Sequence, residues 1–209
     1  MDRISILMNR LKEITRDFDD IEANVINIAT VETGMWTLLK CKYGCTNYNQ
    51  SLGCPPFTPT ANEMKEVLKS YSVGILMQTK DDMKVINDTL LDLEYLALEL
   101  EFFKAFALGA GRCRNCETCN LKHCVHPKTH RPSMEACGID VQTTAKNNGY
   151  DHMIGFENGK KIYYCYGLLL IDWIIDFKKI FLFFKKILIN FIFFRWFFYF
   201  FLKKDLINF

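Results

Sequence analysis

Apolar residues recur at helical spacing at the start of the chain, where Ile4, Leu7, Met8, Leu11, Ile14 and Phe18 predict an amphipathic helix over residues 4–22. Residues 25–28 and 36–39 then read as short strands around a turn at Glu32, Thr33 and Gly34. Residues 41–59 form a loop punctuated by Gly44, Gly53, Pro55, Pro56 and Pro59. A short helix over 62–70 and a strand over 73–78 follow. Leu90, Leu91, Leu93, Leu96, Leu98 and Leu100 predict a long helix from 81 to 108, stopped by Gly109 and Gly111. A second loop spans 113–131, and Ser133 caps a predicted helix running to Asn147. Residues 152–156 and 161–170 form a hairpin around Asn158 and Gly159. Helices and strands mix without a βαβ rhythm, which predicts an α+β fold: a small mixed or antiparallel sheet packed by helices.

Composition divides the chain in two. The 209 residues are 50% hydrophobic and 24% charged, which excludes a disordered chain, and the net charge is +2. That balance gives no electrostatic case for nucleic acid. From Leu168 onward there are seven Lys or Arg against three Asp, so the preceding body is slightly acidic. Nine cysteines are too sparse for a disulfide scaffold of this length. The first twenty residues are charged and amphipathic, unlike a secretory signal. A cytoplasmic setting is therefore expected, where clustered cysteines read as metal ligands.

The second loop carries the sharpest chemistry. Cys113, Cys116 and Cys119 form C-x2-C-x2-C, with Cys124 four residues further on. Two-residue spacers let a loop curl so that successive sulfurs face one small volume, close to the ferredoxin run C-x2-C-x2-C-x3-C-P. Tetrahedral zinc, the alternative, usually takes two C-x2-C pairs separated by a longer span. Cys137, in the first turns of the helix behind Ser133, is a candidate remote fourth ligand. Its other reading is a small core residue. In the first loop Cys41, Cys45 and Cys54 give C-x3-C-x8-C followed by Pro55 and Pro56. Three cysteines here and five beyond suffice for two four-cysteine sites, and Cys165 reads as a core bystander.

Other candidates weigh less. His123, His126 and His130 flank the cluster loop, where cysteines already supply enough donors. Arg112, Arg114 and Arg131 are placed to meet cluster sulfurs or a docking partner, or simply water. Gly109-Ala-Gly111 lacks the third glycine of a nucleotide fingerprint. Phe102, Phe103 and Phe106 read as core, and Glu135 and Asp140 as capping or solvated acids.

Cys41-Lys-Tyr-Gly-Cys45, Ser51-Leu-Gly-Cys-Pro-Pro56, the stretch from Lys104 to Cys113, the stretch from Arg131 to Val141 and the Tyr164–Leu170 segment together carry a family resemblance. They resemble the predicted metal-binding proteins called domain of unknown function 2284, found mostly in anaerobic bacteria and archaea. The resemblance covers residues 24–171. It implies cysteine-rich metal binding of iron–sulfur type, with no established reaction, and places all eight of Cys41, Cys45, Cys54, Cys113, Cys116, Cys119, Cys124 and Cys137 on the family's cysteine pattern. Asn49 and Gln50 stand where the resemblance leads one to expect a glycine and a basic residue.

These readings divide the chain into an N-terminal helix (1–23), a metal-binding domain (24–171) and a hydrophobic basic tail (172–209). The tail uses nine residue types, and twelve of the eighteen phenylalanines follow Asp176. Inserting residues 187–202 returns roughly 4–7 kcal/mol and loses about 2.5–3.5 kcal/mol on Arg195 and more on Asn190, close to break-even. The expectation is an apolar C-terminal helix lying at a membrane surface or docked on the body, or an extension outside the native sequence. The function expected of the whole is a metal-binding protein with one or two cysteine-ligated clusters, 4Fe-4S in type, serving redox transfer or an accessory role in anaerobic metabolism through an unidentified redox partner. A structural zinc module acting as an interaction protein, or a metal-delivery protein, is the alternative.

Overall fold

A computed structural model describes residues 2–18, 20–150, 153–157 and 159–172. The chain runs α1 (Arg3–Ile14), β1 (Glu22–Asn27), α2 (Trp36–Gly44), α3 (Ala61–Leu68), β2 (Val73–Lys80), α4 (Met83–Glu99), β3 (Phe106–Leu108), α5 (Val141–Asn147), β4 (Ile154–Glu157) and β5 (Lys160–Ile171). The fold is α+β, as expected, and every ladder among the described strands is antiparallel. The order is β1-β2-β5-β3, with β4 folded back on the first half of β5.

The central strands explain both faces. In β2, Val73, Ile75 and Met77 point to one side and Leu76 to the other; in β5, Leu169 and Ile171 oppose Tyr166, Leu168 and Leu170. Strands covered on both faces read as continuous apolar runs. Leu7 and Leu11 of α1 and Ile86, Leu90 and Leu93 of α4 close one face. Met64 and Leu68 of α3, Val141 and Ala145 of α5, and Met134 close the other.

Four expected elements are corrected. Residues 36–39 are helical, because Thr37 folds back on Gly34, its amide and hydroxyl both donating to that carbonyl (3.2 and 2.9 Å). Cys41 therefore lies in α2 and not in a loop. The N-terminal helix stops at Ile14, where the Thr15 hydroxyl bonds back to the Leu11 carbonyl. The long helix ends at Glu99, since Glu101 adopts φ +68° and turns the chain back, leaving Phe106–Leu108 to pair with β5. The helix expected from Ser133 is two pieces. Ser133 does cap a 3-10 turn over Glu135–Cys137, but Gly138 (φ +78°) breaks the run and Asp140 caps α5. A Cβ at Gly138 would sit 2.5 Å from the Ala61 backbone, so only glycine lets α3 approach.

The hairpin forms between β4 and β5, with His152 and Asn158 outside the described residues. The expected C-terminal helix also lies outside them. No helix among the described residues is long and apolar enough to cross a membrane.

Candidate metal centre

Two loops meet beyond the helix ends. In the first, Cys41 projects from α2, Cys45 ends that helix, and Cys54 sits in a turn closed by its amide on the Ser51 carbonyl (2.9 Å). Asn49 holds φ +58°, a left-handed conformation in which asparagine is the usual substitute for glycine. The glycine expected at that position thus has a backbone reason.

The second loop is fastened to the body along its length. Gly109 N–H donates to the Pro132 carbonyl (2.8 Å), and Asn87 of α4 binds both the amide and the carbonyl of Ala110 (2.7 and 3.1 Å). Tyr95 donates its hydroxyl to the Lys128 carbonyl (2.7 Å). The strongest anchor is Arg131, whose guanidinium donates from two nitrogens to the carboxylate of Glu94, lies over the Phe106 ring and also binds the His130 carbonyl. Glu94 is only 4% exposed and also accepts the Ala107 amide, so the pair joins α4, β3 and the loop.

Cys113, Cys116, Cys119 and Cys124 line one cavity of about 190 Å³, whose other wall includes Asn47, Ser51 and Leu52 of the first loop. Arg112 bridges the two loops by donating to the Asn47 side-chain oxygen (3.3 Å). Burial chiefly raises the Cys54 thiol above its ordinary value, and the neighbouring sulfurs of Cys45, Cys41, Cys113 and Cys119 add to it. Burial likewise raises Cys113, followed by Cys124, Cys116 and Cys119. Cys54 and Cys113 thus link the sulfurs of the two loops, the first reaching Cys41, Cys45 and Cys119 and the second Cys116, Cys119 and Cys124. Cys137 stands apart in the apolar core, 1% exposed, its thiol pushed up to about 12 by burial and then by Glu135. Cys165 is half-buried on β5, packed against the core on the α1 and α4 face of the sheet.

The sulfurs already have amide donors. The Asn47 amide donates to Cys45 Sγ (3.5 Å) and the His126 amide to Cys124 Sγ (3.4 Å). The Asn115 amide does the same to Cys113 and lowers its thiol. In each case the donor lies two residues after the cysteine, a placement that stabilises thiolate and tunes a bound cluster. His126 and His130 border the cavity, and burial followed by the Arg131 charge lowers His130. Glu135 borders a separate cavity of about 110 Å³ and is exposed at its rim, while the protein packed around its carboxyl raises it above the ordinary value.

Among the described residues, no three His, Cys, Asp or Glu side chains converge closely enough to hold a single metal ion. The donor set is nevertheless chemically suited to soft metals: free thiols, amide donors on sulfur and a cavity well beyond the 10–15 Å³ that one water needs. Glu94 was not among the expected functional residues, although an acid on the Leu90, Leu93, Ala97 face of α4 is a legible sign of a buried partner.

Fold and site define a cysteine-rich α+β protein in which four thiols of the second loop line a cavity that residues of the first loop close. The chain belongs to the DUF2284 family, described as a predicted metal-binding protein, whose signature matches residues 24–171. That match begins within β1 and ends on the last residue of β5. No curated protein and no solved structure matches the chain.

Proposed function

We propose that the second loop holds an iron–sulfur cluster of the 4Fe-4S type on Cys113, Cys116, Cys119 and Cys124, and that the protein passes electrons to or from a redox partner. The observation that carries this reading is the single cavity of about 190 Å³ lined by those four thiols. The overlapping C-x2-C-x2-C spacing favours a cluster over a lone zinc ion, which usually takes two C-x2-C pairs separated by a longer span. Bound there, the cluster would supply one-electron redox chemistry. The chain's own residues supply the rest: Asn115 and His126 amides hold charge on sulfur, and Arg131 with Glu94 fixes the loop.

Cys41, Cys45 and Cys54 lie within electrostatic reach of one another. They are proposed as three ligands of a second cluster, completed by a donor other than the four thiols of the first. Cys137 is left out of the ligand set as a core residue. All nine cysteines are free, which suits a reducing, cytoplasmic setting.

The test is replacement of single cysteines in the full chain under anaerobic purification. Cys116→Ser should abolish the second-loop cluster's absorption near about 400 nm and its share of bound iron. Undiminished iron and sulfide in that variant would overturn the ligand assignment.

A further inference from the structure

A second cavity, of about 330 Å³, adjoins the first and shares Arg112, Cys113, Asn115 and His130 with it. Its volume falls at the low end of small-molecule sites, about 300–1,000 Å³. Its floor is apolar: Leu90 and Ala107 are buried there, and Met83 closes one side with its sulfur. Gly111, at φ +68°, leaves room for that sulfur, since a Cβ would lie 2.4 Å from it.

The charges around this cavity do not cancel. Lys84 is paired with Asp88, and Arg131 is paired with Glu94. That leaves two guanidinium groups without a carboxylate partner among the described residues. Arg112 donates only to the neutral Asn47 amide oxygen, and Arg114 has no bonded partner among those residues. Two fork-shaped donors over an apolar floor suit a carboxylate or phosphate attached to a small apolar body.

We propose that this cavity binds a small organic anion, with Arg112 and Arg114 holding its acidic group and Met83, Leu90 and Ala107 its apolar part. Binding stands on the cavity alone. Its meaning as a substrate site, with the ligand a wall away from Cys113, rests on the cluster proposed above.

The experiment uses the full-length chain, purified anaerobically, titrated calorimetrically with inorganic phosphate, succinate and butyrate up to about 10 mM. Saturable one-to-one binding of at least one probe is expected. Preference among the three separates phosphate from carboxylate recognition. Arg114→Gln should weaken binding about tenfold, the loss of one charge-assisted contact, and the Arg112→Gln, Arg114→Gln pair should abolish it. Lys69→Gln, just past the end of α3, should leave it unchanged. No saturable binding by any probe, or equal affinity in the double variant, would overturn the proposal. Iron and sulfide are assayed in the same samples. Absent iron with intact arginine-dependent binding defeats the cluster reading alone, whereas intact iron without binding defeats the anion site alone.

Discussion

The imidazole of His130 packs against Gly53, so that a Cβ added at Gly53 would meet its Cε1 at 2.4 Å. Gly53 precedes Cys54 in the first cysteine loop, and His130 precedes Arg131 at the end of the second. One contact therefore sets how closely the two thiol groups approach.

Gly53→Ala should drive the ring outward and part the loops while the sheet stays folded, at a cost of about 1–3 kcal/mol. Iron bound per chain should fall. In a His130→Ala background the same substitution should cost almost nothing, because the clash is gone. Chemical denaturation of the four species checks this, and equal costs in both backgrounds would contradict it.

The Glu94–Arg131 pair is inside the protein, at 4% and 16% exposure, where removing one partner strands a charge. Arg131→Gln or Glu94→Leu should each cost about 3–5 kcal/mol. Replacing both with Leu and Met should cost less than the sum of the two single losses, since no charge is left unpaired. Thermal unfolding measures this directly. Arg131→Lys should recover only part of the loss, because a lysine cannot make the two parallel bonds to Glu94.

Cys116→Ser and Cys137→Ala should behave as opposites. The first removes a cavity thiol and should leave the fold stable but without the second-loop cluster. The second truncates a core side chain that packs with Met134, Ile139 and Tyr166, and should cost about 1–2 kcal/mol with metal content retained. Metal loss in Cys137→Ala at full stability would restore it to the ligand set.

Burial holds the metal-free Cys41, Cys54 and Cys113 thiols above their ordinary value, so they are protonated at neutral pH and each must release a proton to bind metal. Affinity should therefore drop on acidification, by up to about tenfold per pH unit for each proton released. Competition with a chelator between pH 6 and 8, roughly the neutral window of that argument, reads the slope. The metal-free fold responds at the other end of the scale. The Cys137 thiol is raised from 9.0 to about 12, so the folded chain holds that proton more tightly than the unfolded chain. Its contribution is intact below pH 9.0 and is lost as pH rises toward about 12. As far as this thiol contributes, denaturant midpoints should hold up to pH 9.0 and decline between pH 9.0 and about 12.

Elements with one unambiguous period were legible in the sequence. The apolar runs of β2 and β5 and the stripe of α1 announced themselves. Residues 36–39 and 100–108 did not, because short apolar runs fit either period. In the first case the Gly34 turn decided for helix; in the second the left-handed Glu101 and the open edge of β5 decided for strand. Gly138 was hidden differently: its necessity comes from Ala61, far away in sequence. At the site, cysteine spacing identified the second loop, but nothing in the spacing told that the first loop would share its cavity. That convergence depends on the His130–Gly53 contact and on the bond from Arg112 to Asn47, pairings between residues far apart in the sequence.

The most direct measurement is elemental: iron, zinc and acid-labile sulfide in the full-length chain, purified without oxygen, together with its visible spectrum. The account predicts a brown protein with iron and sulfide in near-equal amounts, about four of each per cluster, and negligible zinc. A colourless protein with stoichiometric zinc, no sulfide and no response to reductant would contradict it.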